Sequence, residues 1–402
     1  MSIGANFGVV FVGRLVFGLT QWLWIVLIAK FGTANDLGAY SLALSICLTT
    51  FALVCMNTRI LLAADHTGKC MLGAFMGLRL LCISASAICL IPFVMHMDIG
   101  DVLGATILFT VFDQASDIFY GIFQRHERMR PMAISEIVKS VARLATGGVT
   151  LAKTGSLIDA LFARAAVNAA VLLIYEWPAV FALEGKKLRP IFVWRQIKPL
   201  ILKALPLIIA IVGPTVATSV PQYILAAYWD LREIGVMGIL LSLLAALRIP
   251  SGALGNILVP RFAKLWHADC IALHRAIKTT ITAGMLGGAI GAVAIYFLGE
   301  IFLDFCFGSI IANRAILLNW VLASAVAGWV REVYACALIG AGMLRTLANI
   351  SLVTAVAGCA LALVLVPAWG AGGAMAGVTS SLVLECAALA LVWRQTSKTL
   401  YA

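Results

Sequence analysis

Two short stretches of this sequence, KFGTANDLG at residues 30–38 and AYWDLREIG at residues 227–235, resemble each other and decide the fold that we predict. Aligned without a gap, at an offset of 197 residues, they match an aromatic residue, an acid, an aliphatic residue and a glycine. Each stretch follows a long apolar segment. The match therefore predicts a duplicated chain, and the apolar segments around it indicate what is repeated.

The composition excludes a soluble protein, although 402 residues would be enough for two soluble domains. Hydrophobic residues make up 62% of the chain and charged residues 12%, against roughly 25% charged in ordinary soluble domains. The mean hydropathy is +1.03. No soluble core could bury that much apolar surface, so we predict an all-α polytopic membrane protein. Disordered, fibrous and disulfide-rich secreted proteins are excluded by the same figures.

Twelve segments are long and apolar enough to cross a bilayer, which takes about 20 residues in a helix. They are residues 5–30, 37–57, 71–95, 101–122, 133–153, 157–183, 203–228, 235–258, 278–299, 315–341, 346–367 and 371–393. Six spans separate the two matching stretches, and an even number makes the halves parallel repeats. We predict an N-terminal lobe at residues 1–183, a basic amphipathic linker at 184–203 and a C-terminal lobe at 204–402.

The basic residues predict the orientation of these spans. With the N-terminus in the cytoplasm, seventeen lysines and arginines fall in cytoplasmic loops or the C-terminal tail, and four fall on the opposite side. This positive-inside bias places both termini in the cytoplasm. It also accounts for most of the net charge of +11, so nucleic acid is not an expected partner. The outer loops are too short for a catalytic domain.

Four arginines near the middle of predicted spans are candidate substrate-binding residues. They are Arg14, Arg143, Arg248 and Arg331. A charge at this depth costs roughly 2.5–3.5 kcal/mol and usually faces water or the bundle interior. Guanidinium groups bind phosphate in a bidentate manner, which suits a pyrophosphate head group. The alternative is a structural ion pair. It applies to Arg331, which precedes Glu332, and to Arg143, which shares a helix face with Glu136 and Lys139.

Asp113 and Asp117 are candidates for coupling transport to H⁺ or Na⁺. They lie four residues apart on one face of span 4, where like charges repel and one carboxylate tends to keep its proton. The alternative is that they partner the inward arginines. Glu176 and Glu385, lone acids in spans 6 and 12, are weaker candidates. The cysteines and histidines form no metal-binding pattern, so we expect no metal, no cofactor and no catalytic residue.

Helix breakers mark span 7, which contains Pro206, Gly213, Pro214 and Pro221. Each proline removes a backbone donor and clashes with the preceding turn. We therefore predict that this span is bent or broken. Interrupted helices at matching positions of two repeats are typical of a transporter's substrate cavity.

Five stretches, the first of which is already quoted above, carry a resemblance to a known family. They are FGTANDLG continuing into LGAY (31–40), DIFYGIFQR (117–125) before Glu127 and Met129, ALP (204–206), VPRFA (259–263) and VPAWGAGGAMAG (366–377). In this order and spacing they resemble the Wzx-type O-antigen and polysaccharide-unit flippases. That family belongs to the multidrug/oligosaccharidyl-lipid/polysaccharide exporter superfamily.

The resemblance implies two six-helix lobes around a central cavity in the bacterial inner membrane. It also implies alternating access that moves an undecaprenyl-pyrophosphate-linked oligosaccharide from the cytoplasmic to the periplasmic leaflet. The product would serve lipopolysaccharide O-antigen or exopolysaccharide synthesis. The expected partners are this lipid-linked oligosaccharide, membrane lipids, and the polysaccharide polymerase with its chain-length machinery. By type and depth, the four arginines would form the basic cavity.

Two other functions compete with this interpretation. A cation-coupled multidrug exporter of the same superfamily would need an acidic cavity for its cationic substrates, which the inward arginines disfavour. A membrane glycosyltransferase, polymerase or ligase would need a large outer loop and a metal or nucleotide motif. We therefore expect a transporter and not an enzyme.

Overall fold

The computed structural model describes residues 3–56, 58–64, 72–311 and 316–401, and all regular secondary structure in these ranges is helical. Contacts divide the chain into two compact units, Met1–Ile211 and Val212–Ala402. The first unit contains α1 (Ile3–Phe31), α2 (Ala34–Cys55), α3 (Thr58–Ala64), α4 (Leu72–His96), α5 (Gly100–Arg125), α6 (Met129–Thr154), α7 (Leu157–Val171), a π-helical turn (Leu172–Glu176), α8 (Trp177–Glu184) and a 3₁₀ turn (Gly185–Leu188).

Helix α9 (Trp194–Tyr228) contributes residues to both units, and the second unit then contains α10 (Leu231–Leu247), α11 (Ile249–Ala268), α12 (Cys270–Phe307), a 3₁₀ turn (Gly308–Ile310), α13 (Leu317–Gly340) and α14 (Leu344–Tyr401). The last of these is two helical segments that meet at Gly370, whose φ of +54° lies in the left-handed region. A residue with a Cβ would be strained there. The two predicted spans 346–367 and 371–393 lie on either side of this junction.

Nine helical stretches within the described part of the chain are long and apolar enough to cross a membrane. They are Phe11–Phe31, Ala34–Ala63, Leu72–His96, Gly100–Arg125, Leu157–Leu188, Leu231–Ser251, Ile271–Phe307, Leu317–Gly340 and Leu344–Thr396. The last covers two predicted spans. Predicted spans 133–153 and 203–228 also lie in helices, α6 and α9, outside these nine. The all-helical membrane fold is confirmed, whereas the number twelve stays a prediction.

The surface of the long helix α12 is apolar. Ile290, Tyr296, Phe297 and Phe305 are each largely exposed along it. Soluble monomers rarely expose contiguous apolar patches of this kind, whereas a lipid-facing helix requires them. On its other side α12 packs against α13, where the indole Nε1 of Trp329 donates to the carbonyl oxygen of Thr280 at 2.9 Å. The helix therefore has one protein-facing side and one side suited to hydrocarbon.

The two stretches that predicted the duplication form the same local structure in both units. Thr33 is the N-cap of α2 and accepts from the backbone N–H of Asp36 at 3.1 Å. Asp230, at the corresponding position, is the N-cap of α10 and accepts from the backbone N–H of Glu233 at 3.1 Å. An oxygen-bearing N-cap satisfies a backbone donor that the helix itself cannot pair. The shared cap supports the predicted repeat.

Span 7 is not broken, because the helix α9 is continuous from Trp194 to Tyr228, and the predicted bend stays a prediction. The break lies instead in predicted span 8, where α10 ends at Leu247 and α11 begins at Ile249. Pro250 stands in the first turn of α11, a position that proline tolerates because the first helical N–H groups have no intrahelical partner. Arg248 is therefore the residue that joins two helices, and its backbone N–H donates to the carbonyl oxygen of Leu244 at 3.0 Å.

Candidate functional site

Arg143 and Asp113 form an ion pair between α6 and α5. The guanidinium Nη1 lies 3.1 Å from Asp113 Oδ1. The Arg143 side chain is buried, and its guanidinium also faces the rings of Phe17 and Phe109 at 5.8 and 5.5 Å. Asp113 is 42% exposed. The pair thus has one enclosed partner and one accessible partner, and Lys139 takes no part in it.

Asp117, one turn further along α5, accepts from two arginines. Its Oδ1 lies 3.0 Å from Nη1 of Arg59, and its Oδ2 lies 2.8 Å from Nη2 of Arg79. Arg79 is fully buried and donates in addition to the Oε1 of Gln114 at 2.6 Å and the hydroxyl of Thr58 at 3.1 Å. The two aspartates therefore have separate cationic partners. This is the arrangement that we considered as the alternative to ion coupling, and the coupling role itself stays a prediction.

Arg331 is also held by carboxylates. Its Nη1 lies 3.1 Å from Oε2 of Glu332, and its Nε lies 3.1 Å from Oε1 of Glu385 on α14. Glu385 accepts a further hydrogen bond from the hydroxyl of Ser351. Arg331 is thus fixed between two helices of the second unit by charge-assisted hydrogen bonds.

Of the two candidate arginines in the second unit, Arg248 and Arg331, Arg248 is the less constrained by contacts. Its side chain lies against α13, where an added Cβ at Gly328 would sit 3.4 Å from Nε. Its charged neighbours are Arg331, Glu332 and Glu385. Within the described part of the chain it forms neither an ion pair nor a side-chain hydrogen bond. Its N–H donors remain available to a ligand.

Arg14 lies on α1, which packs against α6 in the first unit. Its side chain is exposed on the surface of the unit. The carboxylate of Glu136 lies next to Gly13, the residue before Arg14, since an added Cβ at Gly13 would be 3.6 Å from Glu136 Oε2. Arg14 and Arg143 thus belong to the unit Met1–Ile211, whereas Arg248 and Arg331 belong to the unit Val212–Ala402.

Reasoning from the sequence missed a buried polar cluster around Glu176. Lys139 Nζ lies 2.8 Å from Glu176 Oε1, and Ser135 donates to the same oxygen. The ring of Tyr120 lies 4.8 Å from the ammonium group, and its hydroxyl is 3.2 Å from the Ser135 hydroxyl. The sequence signal was present, because Glu176 is a lone acid in an apolar span. Its partner was not readable, because Lys139 has Glu136 three residues away on its own helix.

The two units use the same chemistry at their sixth spans. Ser135 donates to Glu176 in the first unit, and Ser351 donates to Glu385 in the second. Both glutamates also pair with a basic residue, Lys139 in one case and Arg331 in the other. In each unit the serine lies in the predicted fifth span of the repeat and the glutamate in the sixth. This repetition was not used to infer the duplication and supports it independently.

Residues 75–266 match the family of polysaccharide biosynthesis proteins. The matched region contains Asp113, Asp117, Arg143 and Arg248. The chain is also 21% identical over 326 residues to the capsular polysaccharide biosynthesis protein CapF of Staphylococcus aureus, an alignment that covers 78% of this chain and 79% of CapF. The predicted resemblance to polysaccharide biosynthesis proteins is confirmed at this level.

Solved structures share the fold. The lipid II flippase MurJ in an inward closed conformation has a TM-score of 0.76 at 13% identity, covering 96% of this chain and 87% of MurJ. An inward-facing multidrug resistance MATE family transporter of the MOP superfamily has a TM-score of 0.67 at 13% identity, covering 100% of this chain and 96% of the other. The chain therefore has the fold of multi-pass transporters of the MOP superfamily.

Proposed function

We propose that this protein is a flippase that moves an undecaprenyl-pyrophosphate-linked oligosaccharide from the cytoplasmic to the periplasmic leaflet of the bacterial inner membrane. Two six-helix lobes with both termini in the cytoplasm would expose the head-group site to each side in turn. The family match of residues 75–266 favours a saccharide substrate over other cargo of this fold.

The observation that carries the proposal is an excess of arginine over aspartate around Asp113 and Asp117 in the first unit. Asp117 pairs with both Arg59 and Arg79. Asp113 pairs with Arg143 and is also the acidic neighbour of the buried Arg164. Each aspartate thus has two arginine neighbours. One carboxylate cannot balance two guanidinium groups, so positive charge remains in a low-dielectric region. Such a region attracts an anionic pyrophosphate and repels a cation.

A multidrug exporter of the same superfamily is the competing function, since the fold is shared with MATE transporters. Its cationic substrates would need a carboxylate that is free to receive them. Asp113, Asp117, Glu176 and Glu385 are each within ion-pair distance of an arginine or lysine in this structure, and Glu136 has Arg14 and Arg59 among its charged neighbours. The charges of the described helices therefore favour the anionic substrate.

The test measures which leaflet holds the lipid-linked oligosaccharide in bacteria that lack this protein. We expect the oligosaccharide to accumulate on the cytoplasmic side and wild-type protein to restore export. Arg14→Ala and Arg248→Ala are suitable variants, because neither arginine forms an ion pair among the described residues whose loss would disturb folding. A charge-assisted hydrogen bond contributes about 1.5–3 kcal/mol, so export should fall roughly 10- to 100-fold.

Arg261→Ala is the matched control, because Arg261 is exposed on α11 and lies beyond the predicted span. It should export as wild type does. Normal leaflet distribution in the absence of the protein, with redundant flippases removed, would reject the flippase. Full export by both Arg14→Ala and Arg248→Ala would retain the flippase but remove these two residues from its binding site.

A further inference from the structure

Arg164, on α7, is a buried cation that has no carboxylate partner among the described residues. Its side chain is 2% exposed. The guanidinium lies over the ring of Trp24 at 4.0 Å and near the ring of Phe109 at 5.2 Å. Its Nη2 donates to Gln21 Oε1 at 3.3 Å. No ion pair of Arg164 occurs in the part of the chain that the structure describes.

Most of the hydrogen-bonding capacity of this guanidinium is unused by the protein. Nε and Nη1 of Arg164 are both buried and have no acceptor among the described residues. Together these two nitrogens carry three N–H donors. The indole Nε1 of Trp24, the residue stacked on the guanidinium, is likewise buried without an acceptor. Buried donors are almost always satisfied, so their concentration here indicates an acceptor that the protein does not supply.

The charge balance identifies the kind of acceptor. Arg143 and Arg164 both face the ring of Phe109, at 5.5 and 5.2 Å. Asp113, one turn from Phe109, is the acid near both, and it is already paired with Arg143 at 3.1 Å. A water molecule would satisfy donors but would leave one buried positive charge uncompensated. An uncompensated charge in a low-dielectric interior is strongly unfavourable, whereas an anion satisfies the donors and the charge together.

We propose that Arg164, with Trp24 beside it, binds one small inorganic anion of the chloride type inside the first unit. The enclosure limits the size of the ligand. An added Cβ at Gly147 would lie 2.8 Å from both Cγ and Cδ of Arg164, and the Trp24 ring covers one guanidinium face. These contacts favour a small ligand over a pyrophosphate-linked lipid. The proposal can be tested without substrate, and a bound anion would reduce the positive charge that Arg164 contributes to the proposed substrate function.

The first experiment measures thermal unfolding of the purified protein in sodium chloride and in sodium gluconate at equal ionic strength. A ligand that binds only the folded state raises Tm, so chloride should raise Tm by about 2–5 °C, with saturation. Arg164→Gln should abolish this chloride dependence. Arg59→Gln, which removes an arginine of the same unit that is already paired with Asp117, should keep it. Equal Tm in both salts for wild type, or unchanged chloride dependence in Arg164→Gln, would overturn the proposal.

A second readout works even if Arg164→Gln does not fold. Bromide quenches tryptophan fluorescence on contact, and Trp24 is stacked on the guanidinium. Titration of wild-type protein with sodium bromide should show a saturable quenching component that competing chloride removes. Trp24→Phe keeps an aromatic face and should lose that component alone. If wild type shows only linear, non-saturating quenching, or if Trp24→Phe retains the saturable part, Arg164 does not hold an anion.

Discussion

Lys139 and Glu176 form an ion pair whose two side chains are 2% and 0% exposed, with Nζ 2.8 Å from Oε1. Removing one partner leaves the other buried and charged, which typically costs about 3–5 kcal/mol. We expect that loss of unfolding free energy for Lys139→Met. The double variant Lys139→Met with Glu176→Met should recover much of it, because two apolar side chains replace the pair. Chemical denaturation of the purified variants measures both values.

The outcome for the double variant separates two roles of this cluster. Recovery of stability together with normal export would assign the pair a structural function. Recovery of stability with lost export would show that transport needs the charges themselves. A double variant no more stable than Lys139→Met would contradict the expectation, since the interaction energy of the cycle would then be absent.

Asp117→Asn should destabilise the protein more than Asp113→Asn. Asp117 is the acid shared by Arg59 and by the fully buried Arg79, so its neutralisation leaves a buried guanidinium without its counter-charge. We expect a cost of about 3–5 kcal/mol. Asp113→Asn also leaves the buried Arg143 without its counter-charge, but Asp113 is 42% exposed against 28% for Asp117, so water replaces more of its interaction and a smaller cost of about 1–3 kcal/mol is expected. Paired unfolding curves would decide, and equal costs would contradict the partner assignment.

Gly77→Ala should destabilise the contact between α4 and the segment that follows the 3₁₀ turn. An added Cβ at Gly77 would lie 2.2 Å from the carbonyl oxygen of Ile191, a backbone atom that cannot rotate away. Overpacking of this kind costs about 1–3 kcal/mol. Gly287→Ala on α12 is the matched control, because an added Cβ there meets nothing within 4 Å. A loss of stability in the control as large as in Gly77→Ala would refute the steric explanation.

Thr33→Ala and Asp230→Ala should have similar effects, because the two residues cap the second helix of their respective units in the same way. Loss of a side-chain N-cap costs about 1 kcal/mol. Thr146→Ala, which removes a hydroxyl bonded to the carbonyl of Ala142 within α6, should be close to neutral. Thermal unfolding of the three variants gives the comparison. A neutral result at only one of the two caps would indicate that the repeats have diverged there.

Hydropathy alone was sufficient to place most of the helices, because nearly all described residues of the predicted spans are helical. The repeated stretch was found through its matched aromatic, acidic, aliphatic and glycine positions, whereas the caps at Thr33 and Asp230 within it were not predicted. The prolines of span 7 did not break the helix, since α9 runs through all three of them. Pro250 was the more informative breaker, since it begins α11 directly after Arg248.

The ion-pair partners that lie on other helices could not be read from the sequence. Glu136 stands three residues from Lys139, but the ammonium group contacts Glu176 on another helix. Arg59 lies between the predicted spans 37–57 and 71–95, and it pairs with Asp117, which is 58 positions away in sequence. Pairing between helices depends on their rotation about their own axes, which hydropathy does not determine. Glu332 was therefore predictable as a counter-ion of Arg331, because the two are adjacent in sequence, whereas Glu385 and the pairing of Arg143 with Asp113 were not.

The π-helical turn Leu172–Glu176 has a consequence for everything that follows it in the first unit. A π turn contains one residue more than an α turn, and each residue rotates the chain by about 100°. With this insertion the ring centroids of Trp177 and Phe119 lie 5.8 Å apart, and Val180 is in the interior. Deleting Leu173 would restore a regular helix and turn Trp177 away from Phe119. A single codon thus sets the rotational phase of α8.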